Sequence, residues 1–120
     1  MGLANLEDYS LDNLRAIDKF LEDNHDYVKL KEVKPDFVVQ GGSYLLQMVK
    51  SKYGGNYYWN QEAKQPMLEI GAPQFKLGIF AYARIEKKID NKEEEGLTGF
   101  MKKIEATFEN AAEGDSIILR

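Results

Sequence analysis

Residues 41–60 read GGSYLLQMVKSKYGGNYYWN, and the spacing of the apolar side chains changes in the middle of this stretch. From Pro35, a residue suited to the first helical position, to about Tyr53 the apolar residues recur at helical spacing. Gly54 and Gly55 can adopt the left-handed conformation that ends helices, and the aromatic run after them favours a strand. The stretch therefore predicts a helix that ends at a Gly-Gly pair and leads into a β-strand.

Two adjacent glycines, Gly41 and Gly42, lie inside this predicted helix. Each glycine in a helix interior costs about 1 kcal/mol relative to alanine. Either the helix begins later or a neighbouring backbone approaches it closely at this point. We favour the close approach, which only residues without a side chain permit.

Further helices and strands are expected on both sides of this stretch. Ser10 is a good N-cap for a first helix, and helical spacing also follows Tyr82 and Glu94. The polar residues 60–66 suggest a long loop between two strands of a hairpin, and a third strand is expected before a change to helix near Phe80. The last apolar residues, 117–119, form either a short strand or a tail that docks on the core.

These elements predict an α+β fold in one domain, residues 1–120. Helices pack on one face of a small antiparallel sheet, in the approximate order α-α-β-β-(β)-α-α. We expect residues 27–33 to be an extended connection. Charged residues after Tyr82 are placed on a solvated face of mixed sign; they are Arg84, Glu86, Lys87 and Lys88.

Composition narrows the class of protein. Hydrophobic residues make up 43% of the chain and charged residues 30%, which is typical of a globular domain. The lack of cysteine favours a reducing cytoplasm. A net charge of -4 disfavours nucleic acid as a partner. We expect neither a membrane span nor an N-terminal leader or myristoyl anchor, because the chain has no long apolar run and Leu6 replaces the Ser or Thr of the myristoylation signal.

Residue patterns typical of catalysis or cofactor binding are missing from the sequence. His25 is the only histidine, and it flanks carboxylates in a segment with turn-like composition. Glycine pairs without a following lysine do not make a phosphate-binding loop, and there is no EF-hand spacing. We therefore predict no catalytic residue, no metal site and no cofactor, and we favour a protein that is not an enzyme.

A dense aromatic cluster remains, formed by Tyr53, Tyr57, Tyr58 and Trp59. Successive residues of a strand point to opposite faces, so a sheet covered by helices on one side leaves part of this cluster exposed. One interpretation is a platform for a partner or ligand, since Tyr and Trp are enriched in binding hot spots. The other is core packing together with an aromatic cover over the Gly-Gly pair.

Four short motifs also carry a family resemblance: Gly42-Ser43-Tyr44-Leu45, Tyr53-Gly54-Gly55, Trp59 and Pro66-Met67-Leu68. Together they resemble an uncharacterised family of small bacterial domains, a domain of unknown function with a G-x-Y-L helix followed by Gly-Gly and Trp. Members often continue the helix with Gly-Glu, where this sequence has Leu46-Gln47. The resemblance implies a bacterial cytoplasmic protein and supplies no catalytic residues.

Three hypotheses of function follow, and the third is homo-oligomerisation through the exposed aromatic or helical face without an external partner. The first is a non-enzymatic protein-binding domain that uses Tyr57, Tyr58 and Trp59, with a toxin-immunity protein as one concrete form. The alternative is a small-ligand-binding protein or enzyme with an aromatic pocket between the hairpin and the second helix. In that pocket Tyr44, Tyr58 and Glu69 would be the polar groups.

Overall fold

The structure is a computed structural model that describes residues 9–120. The N-terminal features considered above, including Leu6, lie outside these residues. The described chain contains five helices and four strands: α1 Leu11–Asp23, α2 His25–Val28, α3 Lys34–Tyr53, β1 Asn56–Asn60, β2 Gln65–Ile70, β3 Lys76–Ile79, α4 Ala81–Asp90, α5 Leu97–Asn110 and β4 Ser116–Leu119.

The four strands form one sheet in the order β1-β2-β3-β4. Neighbours from β1 to β3 are antiparallel, whereas β3 and β4 are parallel, with Leu77 opposite Ile117. The α+β class and the general order of elements are confirmed. The sheet is mixed and not purely antiparallel, because α4 and α5 connect β3 to β4 and return the chain to the same end before β4 begins.

The helices pack on one face of this sheet. Side chains alternate along β2 and β3, and the buried apolar side chains of the strands fall on the same face: Leu68, Ile70, Leu77, Ile79 and Leu119. They share one core with the apolar faces of α1, α3, α4 and α5, whose most buried large residues include Leu14, Leu45, Ile85 and Phe100.

Helix α3 lies directly against α4 at its two glycines, as the sequence predicts. A β-carbon on Gly41 would be 2.9 Å from Cδ1 of Ile85, and one on Gly42 would be 2.4 Å from Cδ1 of Tyr82. The second contact continues to the backbone, because the same β-carbon would be 3.2 Å from Cα of Tyr82. Close approach of α4 therefore accounts for both glycines.

Helix α5 begins later than Glu94, because its N-terminus is capped from another part of the chain. The carboxylate of Asp18 in α1 accepts hydrogen bonds from the backbone N–H groups of Leu97, at 2.7 Å, and Thr98, at 2.9 Å. These N–H groups have no partner inside the helix, and a negative charge is favourable at this end. The cap therefore joins α1 to α5.

Two other expectations about connections are wrong. Residues 27–33 are not extended, since α2 and hydrogen-bonded turns occupy this region; Lys34 N–H, for example, donates to Leu30 O at 2.9 Å. The hairpin loop is also short, because β2 begins at Gln65 and pairs with Asn60. Pro66, which has no N–H to donate, is compatible with this strand opposite Trp59.

The charged residues of α4 are not all solvated, which corrects the expectation for Arg84 and Lys88. Both are buried. Arg84 Nη1 donates to Glu94 Oε2 at 3.1 Å, and Lys88 Nζ donates to Glu22 Oε1 at 2.7 Å. Each buried cation therefore has a charged partner, a carboxylate that is itself partly exposed to solvent.

Replacing Gly42 with alanine is expected to lower the free energy of unfolding by about 1–3 kcal/mol, because the new methyl group overlaps the ring and backbone of Tyr82. Gly99→Ala in α5 is the matched control. The nearest atoms there belong to the exposed side chain of Glu95, so the variant should gain up to about 1 kcal/mol of helix propensity. Urea unfolding measures both changes, and equal stability of the two variants would contradict close α3–α4 packing.

Candidate functional site

Three consecutive aromatic side chains are exposed on the edge strand β1. The exposed fractions are 43% for Tyr57, 49% for Tyr58 and 60% for Trp59. These are large values for residues that normally gain stability from burial. The strand follows the Gly-Gly pair at the end of α3, and only β2 pairs with it within residues 9–120.

The register of the sheet assigns these side chains to faces. Tyr57 is opposite the buried Leu68, so Tyr57 and Trp59 point to the side of the sheet that carries the helices. Tyr58 is opposite Met67 and points to the other side. Tyr57 and Trp59 remain exposed because β1 is at the margin of the helical layer, and Tyr58 remains exposed because the helices do not cover its face.

The remaining member of the aromatic cluster, Tyr53, is half-buried and packs against the core. The ring of Tyr53 stacks on Phe108, with centroids 4.1 Å apart. Nothing within 4 Å would meet a β-carbon on Gly54, so the rings of β1 do not cover this glycine. Gly55 is instead required by the strand, because its β-carbon would be 2.3 Å from Glu69 O.

A polar face of α3 leads to the inner side of Tyr57. Ser43, Gln47 and Lys50 follow each other at helical spacing and therefore share one face of α3. Lys50 Nζ lies 5.3 Å from the centre of the Tyr57 ring and donates to Gly55 O at 2.8 Å. Its position joins the end of α3 to the start of β1 and places a cation over an aromatic face.

Two further tyrosines extend this polar region. The hydroxyl of Tyr9 donates to Gln47 Oε1 at 2.7 Å, and the hydroxyls of Ser43 and Tyr82 are 2.8 Å apart. Burial raises the pKa of Tyr57, and the nearby Tyr9 and Tyr82 raise it further because negative charge on their phenols opposes ionisation of a third phenol. The three tyrosines thus form one group of neighbours, the phenol cluster.

Tyr57 is expected to lose its proton only above the ordinary tyrosine pKa of about 10. Absorbance titration of the wild-type chain minus Tyr57→Phe isolates this phenol, and Tyr9→Phe should move its midpoint down. In the unfolded chain Tyr57 ionises first, so its contribution to stability is present below about pH 10 and is lost as pH rises through the folded-state pKa. A difference midpoint at or below about pH 10 would contradict the phenol cluster.

The residues of the expected small-ligand pocket do not come together. Tyr44 is buried in the core, where its hydroxyl accepts a hydrogen bond from Asn13 Nδ2 at 3.2 Å. Tyr58 and Glu69 point away from the helices, since their strand positions share the face of Met67. A depression of about 270 Å³ does lie beside the hairpin turn, and its lining includes Val38, Lys64, Gln65 and Tyr82.

Side chains suited to a metal ion are not grouped in the described part of the chain. Within residues 9–120, no group of three or more His, Cys, Asp or Glu side chains is arranged to hold a metal ion. No helix in the same range combines the length and apolar character needed to cross a membrane. His25 is half-buried at the start of α2, with Nδ1 3.8 Å from Asp26 Oδ1.

Part of the site was missed by reasoning from sequence. The spacing of Ser43, Gln47 and Lys50 on a predicted helix could have identified one polar face. The contribution of Tyr9 and Tyr82 had no local signal, because both are distant from Tyr57 in sequence and act on its pKa only through the tertiary fold.

The fold and this surface define an α+β domain with an aromatic edge strand. Comparison of the chain with models of protein families, with curated protein sequences and with solved structures finds no match.

Proposed function

We propose that this chain is a non-enzymatic protein-binding domain of the bacterial cytoplasm and that β1 is its binding surface. The observation that carries the proposal is the exposure of three consecutive aromatic side chains, Tyr57, Tyr58 and Trp59. Core packing does not explain them, because Tyr58 and Trp59 are about half exposed or more and lie on opposite faces of the strand.

Tyrosine and tryptophan are well suited to a protein contact. Each offers a large apolar area with few rotatable bonds and a polar group that can hydrogen-bond. Trp59 is at the exposed margin, whereas Tyr57 is fixed from behind by Lys50. A partner that covers the strand would therefore bury aromatic surface that the domain itself leaves in water.

An immunity protein is one form of this proposal. Such inhibitors are typically small, acidic and without an active site, and the net charge of -4 would speed the capture of a basic toxin. This form rests on analogy of size and charge. The aromatic surface does not depend on it.

Small-ligand binding is the second candidate, and the depression beside the hairpin turn favours it. There, Gln65 Oε1 accepts a hydrogen bond from Ala83 N–H at 3.2 Å, which connects the hairpin to α4. The volume of the depression, about 270 Å³, is below the roughly 300–1,000 Å³ usual for ligand sites. A metabolite that raises the melting temperature of the chain, but not that of Gln65→Ala, would support this candidate.

The Trp59→Ala variant is expected to lose affinity for a captured protein by at least about tenfold, because it removes the most exposed aromatic anchor of β1. Immobilised wild-type chain captures the partner from a bacterial lysate, and titration with the purified partner measures the affinity. Tyr27→Ala is the matched control, since Tyr27 is 51% exposed on α2, away from β1.

The control variant should retain the affinity of the wild-type chain. Circular dichroism and melting temperature establish that both variants are folded. If Trp59→Ala, shown to be folded, bound every partner as tightly as the wild-type chain, β1 would not be the binding surface.

A further inference from the structure

Strand β1 is an edge strand of the sheet. The sheet order places β1 first, and within residues 9–120 no strand pairs with the side of β1 opposite β2. An edge strand presents a row of backbone N–H and C=O groups that another strand can pair with. Proteins usually protect such an edge with lysine, proline or a bulge.

Strand β1 has none of these three protective features. Its sequence, Asn56-Tyr57-Tyr58-Trp59-Asn60, carries no charge and no proline, although 30% of the chain is charged. The strand pairs with β2 in continuous register over all five residues, so no bulge interrupts it. Its edge is therefore suited to the addition of another strand.

The strand is also complementary to itself. An antiparallel pairing centred on Tyr58 places Asn56 opposite Asn60 of a second copy and Tyr57 opposite Trp59. Directly opposite residues share a face of the sheet, so each Tyr57–Trp59 pair lies on the helix side and the two Tyr58 rings meet on the other side. Asn56 of one copy is opposite Asn60 of the other at both ends of the pairing, and the aromatic side chains between them are opposite one another.

The same register brings opposite charges together beyond the strand. Gly55 of one copy comes opposite Gln61 of the other. Lys50 Nζ is 2.8 Å from Gly55 O, and the exposed Glu62 follows Gln61 in the hairpin turn. Each copy therefore places Lys50, at the start of its β1, next to the hairpin turn of the other copy, which carries Glu62, and the two-fold symmetry repeats this proximity.

We propose that two copies of this chain pair through β1, antiparallel about Tyr58, to form a continuous eight-stranded sheet with Lys50 of each copy beside Glu62 of the other. This inference rests on the proposed function and names the partner at the aromatic surface as a second copy. The two symmetric Lys50–Glu62 pairs favour this occupant, because acidic copies with a charge of -4 otherwise repel each other.

The test is sedimentation equilibrium of the full chain over a range of concentrations at low salt. The wild-type chain should reach a dimer. Lys50→Glu and Glu62→Lys should each raise the dissociation constant by about tenfold or more, because each brings like charges together twice. The double variant should return it to within about threefold of the wild-type value.

An equal mixture of the two single variants gives the most specific readout. In the mixed dimer, the carboxylate introduced at position 50 of one chain faces the ammonium group introduced at position 62 of the other, and the native Lys50 and Glu62 face each other at the second pair. The mixture should therefore dimerise more tightly than either variant alone. Lys103→Glu, which makes the same charge change on the exposed surface of α5, should leave dimerisation unchanged.

The results separate this inference from the proposed function. A wild-type chain that stays monomeric at millimolar concentration, or a dimer that neither single variant weakens, overturns pairing through β1. In either case, capture of another protein that Trp59→Ala abolishes would leave the proposed function standing. Melting temperatures of all variants establish that a lost dimer does not reflect an unfolded chain.

Discussion

The contact between α3 and α4 at Gly41 and Gly42 is the constraint on which the rest of the architecture depends. Helix α3 precedes β1 and α4 follows β3, so their close approach fixes both ends of the three-stranded meander against one helical layer. The layer covers β2 and β3 but leaves β1 at its margin. The exposure of Trp59 is thus a consequence of where the helices pack.

Much of this arrangement could be predicted from local sequence. Ser10 caps α1, with its hydroxyl oxygen accepting from Asn13 N–H at 3.2 Å, and α3 ends at the Gly-Gly pair. The cost of Gly41 and Gly42 in a helix pointed to a close neighbour, which is α4. These features depend on periodicity, caps and propensity, all of which act within a few residues.

Other features depend on contacts between distant residues and left no local signal. Asp18 caps α5 from 79 residues away, at a helix that begins at Leu97. The spacing of Arg84 and Lys88 predicted that both face solvent, yet both are buried and pair with the carboxylates of Glu94 and Glu22. In the site, strand alternation predicted that one face of β1 is exposed, and Tyr58 lies on that face, whereas the exposure of Trp59 on the helix side depends on where the helices pack. The influence of Tyr9 on Tyr57 could not be predicted either, because it depends on the position of Tyr9 against Tyr44 and Gln47 of α3.

Strand β1 leaves its aromatic side chains exposed to water, and the fluorescence of Trp59 tests this directly. Trp59 is the only tryptophan, so acrylamide quenching reports on this strand alone. In dilute solution we expect an accessible, readily quenched Trp59, which becomes protected as the concentration rises and chains pair. A Trp59 that is already shielded in dilute solution, to the same degree as at high concentration, would contradict an exposed binding strand.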